Sequence, residues 1–157
     1  MGKKTAYIEL NTTNQISSLH KKRVQKTFSY LGITIFPCVT VTSLSGILAL
    51  NYDYFVLDIG VLNAYTLKDF LNCDQRFLVC SFSKWKVRKT EEKLATLFQS
   101  NNIKAGHVTV LHNLMLKKEK SKFSSLSNPI IFFPFIPNPF QLKPDVFHVF
   151  YQILERK

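Results

Sequence analysis

The chain has 157 residues, enough for one domain with its own hydrophobic core, and its 46% hydrophobic and 20% charged residues are those of a globular protein. The 21 Lys and Arg against 10 Asp and Glu leave a net charge of +11, which points to an anionic partner (nucleic acid, an acidic membrane surface or a nucleotide) unless the lysines are simply scattered over a solvated surface. No apolar run reaches the roughly 18 residues of a membrane span, and the N-terminal MGKKTAYIELN contains no secretory apolar core.

Three cysteines, Cys38, Cys73 and Cys80, are an odd number without CxxC spacing. That excludes a disulfide frame and a zinc site. Cys38 and Cys80 stand in apolar contexts and read as buried thiols in a reducing compartment. The expected location is the cytoplasm, with peripheral attachment to a membrane as a variant.

Thr5 to Leu10 reads as a short strand buried on at least one face, followed by turn chemistry at Asn11 to Asn14. Ser17 to Lys26 is polar and basic and suits a helical turn or a loop. Tyr30 to Val41 contains GITIFPCVTV, which predicts one strand, ended or bulged at Pro37. Thr42 and Ser43 can cap a short helix over Ser43 to Leu50. Tyr52 to Gly60, YDYFVLDIG, predicts a buried strand that delivers one carboxylate, Asp58, to the end of a sheet.

Thr66 to Asn72 predicts a short helix with Leu67, Phe70 and Leu71 on one face. Arg76 to Phe82 is a buried strand by composition. Ser83 to Ser100 is the longest predicted helix, with Val87, Leu94, Leu97 and Phe98 at helical spacing. Asn101, Asn102 and Gly106 make a turn, and His107 to His112 is another strand. Lys117 to Asn128 reads as an exposed loop. Pro129 to Ile136 is a strand interrupted by Pro134, and Pro144 opens a last helix with Val146, Phe147, Phe150, Ile153 and Leu154 as its stripe.

Strands of near-continuous apolar character that alternate with amphipathic helices indicate an α/β fold. The expected architecture is a three-layer, mostly parallel sheet with helices on both faces, in a single domain over residues 1–157. Ligands of such sheets bind at the carboxyl ends of the strands. Asn11, Asp58, Ser83 and Asn113 all fall there. An acid in the position of Asp58 can hold Mg²⁺ directly or through water, because hard oxygen ligands suit that cation. The alternative is an Asp that caps its own loop.

YDYFVLDIG resembles the Walker B strand of the MinD/ParA group of P-loop ATPases, including the CpaE-like members. GKKTAYIELN resembles that family's second strand, which ends in Asp-x-Asp. VLHNL, Val110 to Leu114, resembles the strand ending in Asn beside adenine, and FIPNP, Phe135 to Pro139, resembles the IPxD turn next to the base. The matches occur in family order and span nearly the whole chain. The resemblance implies a P-loop NTPase-like fold with ATP and Mg²⁺ as cofactors in a full-length relative. Asp58 would be the Mg²⁺-linked acid, Gly60 a switch residue sensing the γ-phosphate, and Asn113 and Pro137 members of an adenine pocket. Asn11 would stand at the switch position that usually carries Asp. An Asn orients water but cannot take its proton, so no catalytic residue is assigned.

The 157 residues contain no G-x-x-x-x-G-K-[ST] loop, and the five glycines are not clustered. In the family that loop follows the first strand, just upstream of the GKK with which this sequence starts. The expectation is therefore a domain lacking its first βα unit, either a fragment or a poorly stable remnant, that binds no cofactor alone. Its partner would be a second copy or a protein that supplies sheet elements. Lys84, Lys86, Arg88 and Lys89, interleaved with Trp85, are candidates for contact with DNA or acidic membrane, against the alternative of a solvated helix face. His20, His107, His112 and His148 show no metal-ligand spacing. Three functions follow: the Walker B and adenine-pocket portion of a MinD/ParA-like ATPase, not competent alone; a non-enzymatic pseudo-ATPase scaffold with a basic surface; or a nucleic-acid-binding protein, which predicts a steep salt dependence of binding.

Overall fold

The computed structural model describes residues 2–13, 15–16, 27–80, 87–104, 107–113, 130–134, 136 and 144–154. The chain divides into two compact units, Met1–Cys73 and Asp74–Lys157.

The first unit holds β1 (Thr5–Glu9), β2 (Phe28–Tyr30), β3 (Ile33–Phe36), α1 (Val41–Leu48), β4 (Tyr54–Asp58) and α2 (Leu67–Leu71). Its sheet has the order β2-β3-β1-β4. β1 runs parallel to both β3 and β4, with Tyr7 opposite Ile35 on one side and Val56 on the other. The ladder starts where Lys4 donates its backbone N–H to the Asp53 carboxylate at 2.8 Å and Lys3 Nζ reaches the same group at 3.0 Å. The Lys4 N–H, with Lys3 behind it, holds the Asp53 carboxyl below its usual range.

Side chains alternate across this sheet. Ala6 and Ile8, both without solvent exposure, share one face with Phe36 and Phe55, and the Tyr52 ring lies edge-on to both phenylalanines at centroid distances of 6.1 and 5.7 Å. Thr5, Tyr7, Glu9, Val56 and Asp58 lie on the opposite face. There Glu9 is fully buried. One of its carboxyl oxygens accepts the Ile16 N–H at 3.0 Å, the other accepts the Cys38 N–H at 3.3 Å, and its main-chain carbonyl accepts from Val39 at 2.9 Å. One side chain thus fastens the exits of β1 and β3 together.

Two local expectations are corrected and one element is added. The strand predicted within Tyr30 to Val41 is β3, which ends before Pro37, and the added β2 pairs with it as an antiparallel hairpin from Phe28↔Ile35 to Tyr30↔Ile33. Its turn is Leu31-Gly32, both at positive φ (48° and 79°), the backbone twist that two-residue hairpins favour. Cys38 is exposed rather than buried, because it follows the strand at φ 53° and turns the chain towards α1. α1 starts two residues earlier than predicted, after Thr40, whose hydroxyl meets those of Thr42 and Ser43 at 2.9 and 3.0 Å.

The second unit holds β5 (Phe77–Cys80), α3 (Val87–Ser100), β6 (Thr109–Asn113), β7 (Ile130–Phe133) and α4 (Pro144–Leu154). Its sheet, β5-β6-β7, is wholly parallel. Leu94 and Phe98, one helical turn apart on α3, pack with Leu78, Cys80, Val110, Ile130 and Phe132 on one face. α4 covers the other face, where Phe150 meets Phe133 edge-on at 5.5 Å. Burial pushes the Cys80 thiol up to about 11, which keeps it unreactive. Ser17 to Lys26, expected as a helical turn or a loop, and the loop expected over Lys117 to Asn128 lie outside the described residues.

Replacing Glu9 by Ala strips two backbone N–H groups of their acceptor. It is expected to destabilise the protein by about 3 kcal/mol in urea unfolding, at about 1–3 kcal/mol for each donor left unpaired. A loss below about 0.5 kcal/mol would show that water replaces the carboxyl group freely.

Candidate functional site

The carboxyl end of the first sheet brings Asn11, Asp58 and Gly60 together. β1 and β4 end in register, Glu9 opposite Asp58, and the ladder continues one step further through Leu10 N–H to the Asp58 carbonyl at 2.9 Å. Asn11 and Gly60 therefore leave the sheet side by side. Gly60 has φ 73°, and a Cβ built on it would stand 2.6 Å from the Asn11 Cβ. Only glycine meets both demands, the left-handed backbone and the close approach.

Asp58 is engaged on both oxygens. The Tyr7 phenol donates to Oδ2 at 2.6 Å, and the Gly60 N–H donates to Oδ1 at 3.1 Å. Burial pushes the Tyr7 phenol well above the usual tyrosine range, and its bond to Asp58 and the negative charges of Asp58 and Glu9 push it further. Asn11 is also engaged by its own chain: its Oδ1 accepts the Thr13 N–H at 3.0 Å and the Thr13 hydroxyl, an Asx turn at the exit of β1. The loop after Gly60 is stiffened by Asn63, whose Oδ1 accepts from Tyr65 and Thr66 at 2.9 and 3.3 Å, while Thr66 Oγ1 accepts the Asn63 N–H at 3.0 Å.

Asn113 ends β6 in the second unit, with its backbone opposite Phe133. Pro137, Lys84 and Lys86 lie outside the described residues. Arg88 and Lys89 are in the first turn of α3 and exposed. Arg88 Nε pairs with Glu92 Oε1 at 2.9 Å, a solvent-exposed bridge of little energetic weight. Sequence reasoning missed Tyr7 and Glu9 as parts of this rim. Alternation along TAYIE puts them on one face, but which acid they would meet depends on strand pairing.

The solved structures similar to this chain include a plasmid partition protein from Borrelia burgdorferi (TM-score 0.62, 16% identity, 98% of this chain and 84% of that one). The MinD cell division protein of Aquifex aeolicus is similar as well (TM-score 0.59, 17% identity, 87% of this chain and 71% of that one), and so is that organism's MinC:MinD complex (TM-score 0.58, 16% identity, 87% of this chain and 71% of that one). The chain has a MinD/ParA-like fold. No protein family matches it by sequence, and no curated protein does. Mixed α/β architecture with parallel sheets is what the MinD/ParA-like fold and the present chain share.

A Mg²⁺ ion coordinates oxygen octahedrally and takes one or two carboxylates together with phosphate oxygens. At this rim the one carboxylate in the expected position has both oxygens engaged by the chain itself. Among the described residues no group of three or more His, Cys, Asp or Glu side chains is placed to hold a metal. Asp58 is the residue that would hold the cation, and coordination there would compete with the hydrogen bonds from Tyr7 and Gly60.

Gly60→Ala is expected to cost about 2 kcal/mol in urea unfolding, from left-handed strain and displacement of Asn11. The raised Tyr7 phenol stabilises the fold in its neutral form. That contribution is complete below about pH 10, the unfolded tyrosine value, and is lost as pH rises above it towards the folded value. Thermal melts across that range should show a steeper loss for the wild type than for Tyr7→Phe.

Proposed function

We propose that the chain is the Walker B and base-pocket portion of a MinD/ParA-like nucleotide-binding protein and that it does not hydrolyse nucleotide by itself. The observation that carries this is the state of Asn11 and Asp58. The two polar side chains brought together at the sheet end accept hydrogen bonds from their own chain, Asn11 from Thr13 and Asp58 from Tyr7 and Gly60. A hydrolytic rim needs a group that orients or deprotonates water within hydrogen-bond reach. Asn11 has no basicity, and its acceptor oxygen faces its own turn.

Fold supports the kinship and says nothing of turnover, since one fold hosts many functions. Asn113 and Pro137 are the residues we assign to the base side, and Gly60 to a backbone position that reports on the sheet end. In a MinD/ParA ATPase, Mg²⁺ neutralises charge on the phosphates; here we assign Asp58 to the position of that acid by descent. A protein partner or a second copy is the partner class we favour, in keeping with the MinC:MinD complex among the similar structures. A non-enzymatic scaffold that meets nucleic acid or acidic lipid through its basic surface is the second reading, favoured by the net charge of +11.

Isothermal titration with Mg-ATP is expected to give no measurable binding, and Asn11→Asp is expected to leave ATP turnover at zero. Micromolar affinity, or turnover by either protein, would overturn the reading.

A further inference from the structure

We propose that Tyr7 is a positioning residue that holds Asp58 closed against cations. The proposal rests on the assignment of Asp58 to the cation-side position. Tyr7 lies opposite Val56 in the parallel β1–β4 ladder, so Asp58, two residues on, is the next side chain on the same face of β4. A phenol is long enough to cover that step, and its hydroxyl reaches Oδ2 at 2.6 Å. Hydrogen bonds to an ionised acceptor are short and about twice as strong as neutral ones.

The carboxylate is held from a second side, where the Gly60 N–H donates to Oδ1. Gly60 passes close to Asn11, where a Cβ on residue 60 would stand 2.6 Å from the Asn11 Cβ. A cation approaching the sheet end meets a carboxylate whose charge is shared between two donors. To use the Oδ2 lone pair that the phenol occupies, it must displace the phenol. Glu9, in register with Asp58 and on the same face, offers no second ligand, because its own oxygens accept from Ile16 and Cys38.

The test is Mn²⁺ binding at neutral pH, followed by the paramagnetic resonance of the free ion, for the full chain as wild type, Tyr7→Phe and Tyr7→Phe/Asp58→Asn. Tyr7→Phe keeps the ring and removes the donor. It should tighten Mn²⁺ binding about tenfold or more, the equivalent of one hydrogen bond to a charged group, and Asp58→Asn in the same background should abolish the gain. Tyr7→Leu also removes the donor and is read in the same way should Tyr7→Phe fail to fold. A purely structural role for Tyr7 would lower stability and leave Mn²⁺ affinity unchanged.

Equal affinity in wild type and Tyr7→Phe, lowered in both by Asp58→Asn, would overturn the closure while leaving Asp58 as a cation-side acid. A gain that survives Asp58→Asn would also overturn it, by placing the ion elsewhere. Absence of binding in every variant would overturn the assignment of Asp58 and the closure with it. Because Mn²⁺ is titrated without nucleotide, these outcomes are independent of the Mg-ATP result.

Discussion

Glu9 is buried at the end of β1, in register with the second carboxyl group, Asp58, at the end of β4. Two acids side by side on one sheet face repel when both are ionised, and a buried one without donors is costly. The structure resolves this by giving each its own donors. Glu9 accepts from Ile16 and Cys38, and Asp58 accepts from Tyr7 and Gly60. Those four donors come from four separate places in the chain. Satisfying the pair therefore fixes the exits of β1, β3 and β4 relative to one another, and the rest of the rim follows from it.

The consequences run outward from there. With Cys38 held at Glu9, the chain leaves β3 through a left-handed turn and starts α1 at Thr40. With Gly60 held at Asp58, the segment after β4 passes against Asn11, where a side chain on residue 60 would collide. Asn11 then folds back on Thr13. Each step is a local hydrogen bond, yet each depends on a strand pairing between distant parts of the sequence. The second unit is built differently: its parallel sheet is organised by apolar packing, with Leu94 and Phe98 on one face and Phe150 on the other.

A MinD/ParA-like fold delivers polar residues to the carboxyl ends of parallel strands, and this chain does so at Asn11 and Asp58. What the residues do there is a separate matter, set by their neighbours. An Asp beside a free face could meet a cation or a water; the same Asp beside a tyrosine two steps away on the next strand meets a phenol. Fold and chemistry part company at the level of single side chains, so a shared architecture leaves the chemistry of the sheet end to the residues that stand there.

Much of the secondary structure follows from residue type and period. TAYIEL, YDYFVLDIG, RFLVCSF and HVTVLH are runs that suit parallel strands, and Leu94 to Phe98 marks a helix face, so these elements and the strand-end positions of Asn11, Asp58 and Asn113 were determined by the sequence itself. The burial expected of YDYFVLDIG and RFLVCSF is not met, because β4 and β5 are sheet edges that leave Tyr54, Val56 and Val79 exposed. The β2–β3 hairpin was hidden, because Leu31 occupies a left-handed position that the residue rarely adopts and the surrounding apolar run reads as one strand. The exposure of Cys38 was hidden too, since its apolar neighbours belong to a strand that has already ended. Only the tertiary structure decided that Tyr7 meets Asp58, that Glu9 joins two loops, and that Asn11 and Gly60 touch. These are pairwise facts set by register, and a single strand carries the alternation of its side chains but no information about which residue of another strand will lie opposite.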